Sequence, residues 1–244
     1  DGAAGGRGAP LTVADPSSVK VSGEPSGDRR GRFVSFSRGW CDCRDIPMGL
    51  AGEHQLANAA IALTLLTELE PSSVGLETSR FRSGFARCVR KGFAGLKWPA
   101  RLQLLPGHPM LVLDGAHNPD GLAAVAGSLK KLFPGRRFHI IFGAMADKDV
   151  ARMALPLADV ALDITAVPVD VKRAMPPGEL AGVLKDSLGG EAGPKVRASP
   201  DLGRTLEAIM RDREGAYLVT GSIYLAGEFM ERYMAEGHAS ASGL

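Results

Sequence analysis

Cysteine is scarce in this sequence: Cys41, Cys43 and Cys88 are the three in 244 residues. They cannot form a disulfide framework, and such sparse usage suits a reducing cytosol. Cys41 and Cys43 would share one face of a strand, but a metal site there would need more ligands than the neighbouring sequence supplies. Long apolar runs are missing as well, so no membrane span is expected. The Gly- and Ala-rich opening, residues 1–10, lacks the apolar segment of a secretory signal and is expected to be flexible. A charge of one sign is also lacking. With 29 Lys and Arg against 27 Asp and Glu, the net charge is +2, which gives no electrostatic case for a nucleic-acid or membrane-surface partner. The small basic patches Arg29-Arg30 and Arg87 to Lys91 read as solvated surface. Two motifs are absent: no G-x-G-x-x-G follows a strand, which argues against a dinucleotide, and no G-x-x-x-x-G-K-[ST] supplies a Walker-type phosphate loop. The first residue is not Met, so a fragment or a processed chain is expected.

What is present is enough apolar residue, 45% of the chain, to bury one large core or two small ones. The chain is organised around Leu111-Val112-Leu113-Asp114-Gly115-Ala116-His117-Asn118-Pro119. Met110 to Leu113 reads as a strand of a parallel sheet buried on both faces. Asn118 suits a helix N-cap and Pro119 the first helical position. The helix would run to about Leu132, with Leu122, Val125, Ala126, Leu129 and Leu132 facing inward. A loop between such a strand and helix opens at the carboxyl end of the sheet, where open α/β folds bind ligands. Asp114 and His117 would then point into a cleft, with helix-start N–H groups available to an anion. The plainer alternative is a capped strand-to-helix turn.

Upstream, short alternating runs at Ser18 to Val21 and Arg32 to Phe36 flank the turn-rich Ser22 to Gly31 and predict a hairpin or sheet edge, which Trp40 to Ile46 can continue. Gly52-Glu53-His54-Gln55 opens a helix with Leu56, Ala59, Ala60, Leu63 and Leu66 at helical spacing, ending near Glu70-Pro71. On it, Asn58 sits among alanines. An amide there can serve a flat heterocycle or merely tolerate the surface. Ser72 to about Cys88 reads as a second helix and Val89 to Leu96 as a loop. Arg101 stands just ahead of the central strand, before a hairpin turn at Pro106-Gly107; its guanidinium suits a phosphate or is ordinary surface. Beyond Asp114, strands at Arg137 to Phe142, Ala161 to Val167, Lys195 to Ala198 and Ala216 to Thr220 alternate with helices at Asp149 to Leu157, Pro177 to Leu188, Asp201 to Arg213 and Ile223 to Ala235. That alternation predicts an α/β fold, a mostly parallel sheet with helices on both faces. The loops Asp114 to Asn118, Gly143 to Lys148 and Thr220-Gly221-Ser222 are candidates to meet in one cleft.

With these residues in view, the chain from roughly Phe33 to Glu231 resembles folylpolyglutamate synthase and dihydrofolate synthase, members of the Mur ligase superfamily. The motifs occur in that family's order: Gly52-Glu53-His54-Gln55 with Asn58-Ala59-Ala60, Pro99-Ala100-Arg101, Asp114-Gly115-Ala116-His117-Asn118-Pro119, Asp147-Lys148-Asp149 and Val219-Thr220-Gly221-Ser222. Gly115 separates this string from the peptidoglycan branch, which usually has Tyr or Ser there. Ala100 departs from the Gly the family commonly carries. The resemblance implies a remnant of the central ATP-binding domain over 1–96, a Rossmann-like ligase domain over 97–236 and a flexible tail over 237–244. It implies an ATP-dependent ligase that adds L-glutamate to a folate or dihydropteroate carboxylate through an acyl phosphate. By the same analogy Asn58 contacts adenine, Arg101 the ATP phosphates and Asp114 the nucleotide. His117 is the catalytic candidate and positions the incoming glutamate, with Lys148 and Ser222 as further substrate contacts. ATP and Mg2+ are the expected cofactors, with the metal ligands outside these residues, so none here binds metal and the chain alone is expected to be inactive. A cytoplasmic monomer is expected. Two other classes stay open: a non-catalytic binding module derived from a ligase, and a Mur-type ligase with another substrate.

Overall fold

The computed structural model describes residues 11–22 and 32–235. The expected flexible ends, most of the Ser22 to Gly31 turn and the Arg29-Arg30 patch lie outside the described residues. The chain forms two compact units, one of residues up to Gly49 with Glu53–Leu96, the other of Leu50–Gly52 with Lys97 onward.

In the first unit, β1 (Val19–Val21), β2 (Phe33–Arg38) and β3 (Cys41–Pro47) make an antiparallel sheet in that order. Val34 pairs with Ile46 and Phe36 with Cys43, so Arg44 and Asp45 together oppose Ser35. This is a β-bulge, and Asp45 takes it up at φ +53, a left-handed conformation that Asp tolerates better than most residues. The bulge moves the inward positions of β3 from Cys41 and Cys43 to Ile46, all three buried. Helices α1 (His54–Glu68) and α2 (Thr78–Ala94) complete the core, with Leu63, Phe85 and Val89 packed on Phe36 and Ile46.

The second helix corrects the sequence reading. Pro71–Val74 forms only a 3-10 turn, closed by Gly75 at φ +72, and Glu77 then caps α2 by accepting from Ser79 N and Arg80 N, both at 2.9 Å. The expected loop from Val89 is instead the last turns of this helix. The cations of Arg87 to Lys91 and two glycines masked an apolar stripe at Phe85, Val89 and Phe93. A helical glycine costs only about 1 kcal/mol, which such packing offsets.

The second unit is a six-stranded sheet: β4 (Gln103–Leu105), β5 (Met110–Leu113), β6 (Phe138–Phe142), β7 (Ala161–Ala166), β8 (Lys195–Ala198) and β9 (Ala216–Thr220), in the order β4-β5-β9-β6-β7-β8. Only β4 runs antiparallel. Its helices are α3 (Pro119–Leu132), α4 (Val150–Ala154), α5 (Pro177–Ser187), α6 (Leu202–Arg211) and α7 (Ile223–Ala235). Helices α3, α4 and α5 bury Leu122, Leu129, Met153 and Leu180 against Val112, Ile140 and Leu218. On the opposite face α6 and α7 bury Leu206, Ile209, Leu225 and Phe229 against Leu113, Ile141 and Val219. Neighbouring strand residues feed opposite cores, which is why these strands read as unbroken apolar runs. The chain therefore winds outward over one face and returns across the other, and β9 inserts between β5 and β6. Its following helix lies on the face opposite to theirs, so the carboxyl ends of β5, β9 and β6 flank a topological switch point, the place where open α/β sheets form their crevice.

Candidate functional site

Three loops leave the sheet at that crevice. Register aligns them: Leu113 pairs with Val219, and Phe142 with Thr220. Main-chain bonds then tie them together, Asp114 N to Val219 O at 3.0 Å, Gly221 N to Ala116 O at 3.1 Å and Gly143 N to Thr220 O at 3.3 Å. Close approach is needed here. A Cβ on Gly221, at φ +99, would stand 2.7 Å from Gly143 O and 2.9 Å from the Phe142 ring, and one on Gly143 would stand 2.6 Å from Val169 Cγ2.

Asp114, 3% exposed, works first as a backbone clamp. Its Oδ2 accepts from Leu102 N and its Oδ1 from Ala116 N, both at 2.8 Å. This holds the turn before β4, where Ala100 and Leu102 adopt φ +53 and +45. Gln103 Oε1 accepts from Ala100 N at 3.0 Å, and Gly115 N donates to Ala100 O at 2.9 Å. Arg101 is thereby carried to the mouth of the crevice. Its Nη1 lies 3.4 Å from where a Gly115 Cβ would be, beside Ile223, so glycine at 115 leaves room for the guanidinium.

His117 is exposed on the loop, with Nδ1 3.0 Å from Gly115 O. When Nδ1 carries the proton and donates to that carbonyl, Nε2 is left as an acceptor toward solvent. Asn118 caps α3, its Oδ1 accepting from Gly121 N at 2.7 Å, with Pro119 following. The positive end of a 14-residue helix therefore opens beside His117. Ser222 is buried, and its Oγ accepts from Tyr224 N at 3.1 Å, capping the start of α7. Its hydroxyl proton remains free to be donated. Lys148 lies further along the β6–α4 loop, its ammonium 3.8 Å from Asp147 Oδ2. Asn58 belongs to the other unit, exposed on α1, where its Nδ2 donates to Gln55 Oε1 at 3.0 Å.

Arg101, Asp114, His117 and Ser222 thus come together within the second unit. Sequence reasoning placed Thr220 in a crevice loop but gave its side chain no role; it is fully buried, and its Oγ1 has no hydrogen-bond partner directly beneath the crevice loops. The signal for the side chain itself was a hydroxyl ending an apolar strand. It also missed the clamped left-handed turn, for which the alanine at 100 was the one visible trace. Among the described residues no group of three or more His, Cys, Asp or Glu side chains is placed to hold a metal ion, and no helix is long and apolar enough to cross a membrane.

Fold and crevice define a doubly wound α/β domain whose ligand site, at a switch point, is lined by a guanidinium, an imidazole and helix-start N–H groups. The chain belongs to the Mur ligase family: residues 100–223 match its glutamate ligase domain. It is 33% identical over 186 residues to a probable bifunctional folylpolyglutamate synthase/dihydropteroate synthase of Haloferax volcanii, covering 75% of this chain and 20% of that protein. It is also 33% identical over 184 residues to the folylpolyglutamate synthase of Lacticaseibacillus casei, covering 75% of this chain and 39% of that one. Among solved structures, the folylpolyglutamate synthase of Thermotoga maritima superposes with a TM-score of 0.67 at 26% identity, over 90% of this chain and 46% of its own. That of Mycobacterium tuberculosis complexed with ADP shares the fold, with a TM-score of 0.70 at 24% identity over 88% and 47%. The chain therefore spans at most about two fifths of these two curated relatives.

Proposed function

We propose that this chain supplies the ligase domain, over 97–236, and a preceding remnant of the central ATP-binding domain, over 1–96, of an ATP-dependent enzyme that joins L-glutamate to a folate or dihydropteroate carboxylate. In this reading the substrate carboxylate attacks the γ-phosphorus of ATP, ADP leaves, and the glutamate amine displaces phosphate from the acyl phosphate. The amine loses a proton as the amide forms. The observation that carries the reading is the clamped loop at the switch point, where Asp114 fixes the turn that presents Arg101 beside Gly115. A planar guanidinium is suited to a phosphate that gains charge during transfer. His117 and the start of α3 face the same opening, and we assign them the incoming glutamate, with Ser222 as a donor and Lys148 as an outer contact. Asn58 is assigned to adenine, and Asp114 supports the nucleotide through the turn it holds. We take magnesium to be held by residues other than those described. Free thiols at Cys41, Cys43 and Cys88 suit a cytoplasmic enzyme, which we take to act as a monomer.

Support comes also from the names borne by the 33%-identical relatives. The test is ADP release by the full-length enzyme given ATP, magnesium, glutamate and either dihydropteroate or a reduced folate, with Arg101→Ala and His117→Ala alongside. Glutamate-dependent turnover with either pterin, lowered at least about a hundredfold in both variants, is the expected result. No turnover with either pterin, or unchanged turnover in both variants, would overturn the assignment. The 244-residue chain alone, which carries no Walker loop, is expected to show no ligation.

A further inference from the structure

On the sheet face that carries α6, the outer strands β7 and β8 turn polar. Thr165 and Arg197, paired in register, stand beside Arg204 and Thr205 of α6, and a cleft of about 330 Å³ opens between them with Ile141 and Tyr217 also lining it. None of these residues belongs to the three crevice loops. The two ionised side chains lining the cleft are both guanidinium groups. Three carboxylates lie nearby: Asp201 caps α6 through Arg204 N at 3.0 Å, Asp212 accepts from Tyr217 OH at 2.7 Å, and Asp163 Oδ2 lies 2.9 Å from His139 Nδ1 and pairs with Arg197 at 3.7 Å, so an anion would share the Arg197 guanidinium with Asp163 and have that of Arg204 in addition. Thr205 Oγ1 is within hydrogen-bond distance of Ser199 Oγ and Asp201 O. Thr165 is different. It is 3% exposed, and its Oγ1 has no partner, although leaving a buried hydroxyl unsatisfied is costly.

We propose that this cleft is a second ligand site, for a small organic anion with an apolar body. A carboxylate or phosphate head would lie between Arg197 and Arg204 and accept from Thr165, while Ile141 and the Tyr217 ring, itself stacked on His139 at 4.9 Å, take the body. The volume fits a single ring or short chain, at the small end of ligand pockets. The proposal does not depend on the ligase assignment.

The test uses the 244-residue chain with 13C-labelled isoleucine methyl groups, titrated with phenyl phosphate, benzoate and, as the uncharged control, phenol. A saturable shift of the Ile141 resonance with phenyl phosphate or benzoate, but not with phenol, is expected, and the stronger of the two identifies the head group. Ile46, in the other unit, reports nonspecific effects and stays still. Arg204→Ala, at an exposed position, and Thr165→Val, near-isosteric, each weaken binding by about tenfold or more. An Ile141 resonance that fails to move with either anion at millimolar concentration overturns the site. So does one that moves equally with phenol, or keeps its affinity in both variants.

Discussion

Replacing Asp114 with alanine is the sharpest test of how this crevice is built. The carboxylate is 97% buried and accepts two main-chain bonds of 2.8 Å, from Leu102 and Ala116. Each N–H that loses a charged acceptor and stays buried costs about 1.5–3 kcal/mol. Two such losses sum to about 3–5 kcal/mol once partial relaxation is allowed. Asp114→Asn keeps one acceptor and turns an NH2 toward the other donor, so about 1–3 kcal/mol is expected. Because the chain comprises two units, a single melting temperature would blur the effect. Amide hydrogen exchange read by mass spectrometry separates them. Peptides covering β5 and β9 should exchange roughly a hundredfold to several-thousandfold faster in the alanine variant, at 1.4 kcal/mol per tenfold. Peptides covering β2 and β3 should be unchanged. A change below about fivefold in β5 and β9, about 1 kcal/mol, would show that the clamp does not hold the second unit, and the positioning of Arg101 would need another cause.

Other outcomes follow from the same geometry. Gly221→Ala forces a Cβ to 2.7 Å from Gly143 O at φ +99 and should cost about 2–4 kcal/mol in the same exchange experiment; a neutral variant would mean the loops are not closely joined. Of three thiols, only Cys88 is exposed, and burial pushes Cys41 up to about 12, so one equivalent should react promptly with a disulfide reagent at pH 8 and two only on unfolding. Burial foremost, then the bond to Asp212, raises the Tyr217 phenol, while that bond lowers the Asp212 carboxyl. Stability from Tyr217 is thus present below the ordinary tyrosine value and lost as pH rises above it, and that from Asp212 is lost as pH falls below the usual carboxylate range. Tyr217→Phe should flatten the alkaline arm of the stability profile and remove a late-titrating phenolate from the absorbance at 295 nm.

Elements buried on both faces were the most legible in the sequence, because an apolar run bounded by turn residues has few other uses. Met110–Leu113 and Ala216–Thr220 were readable to the residue, and Asn118-Pro119 announced α3 by its capping chemistry. Strand order was not legible, since nothing local requires β9 to insert between β5 and β6; only the packing of α6 and α7 on the opposite face does. The same limit hid α2's last turns, where surface charge outweighed a sparse apolar stripe, and the bulge at Asp45. The left-handed turn at Ala100 and Leu102 was hidden for a sharper reason. Its conformation is imposed from twelve residues away by Asp114, and a residue suited to φ +53 would ordinarily be glycine. Ala100 bears that conformation at about 1–2 kcal/mol, offset by about 0.8 kcal/mol for its buried methyl group and by the lower unfolded-state entropy of alanine. Ala100→Gly should therefore leave protection of β4 and β5 amides unchanged or raise it by up to about 1 kcal/mol. A loss of more than that would mean the methyl packing, and not the Asp114 clamp, keeps Arg101 where it is.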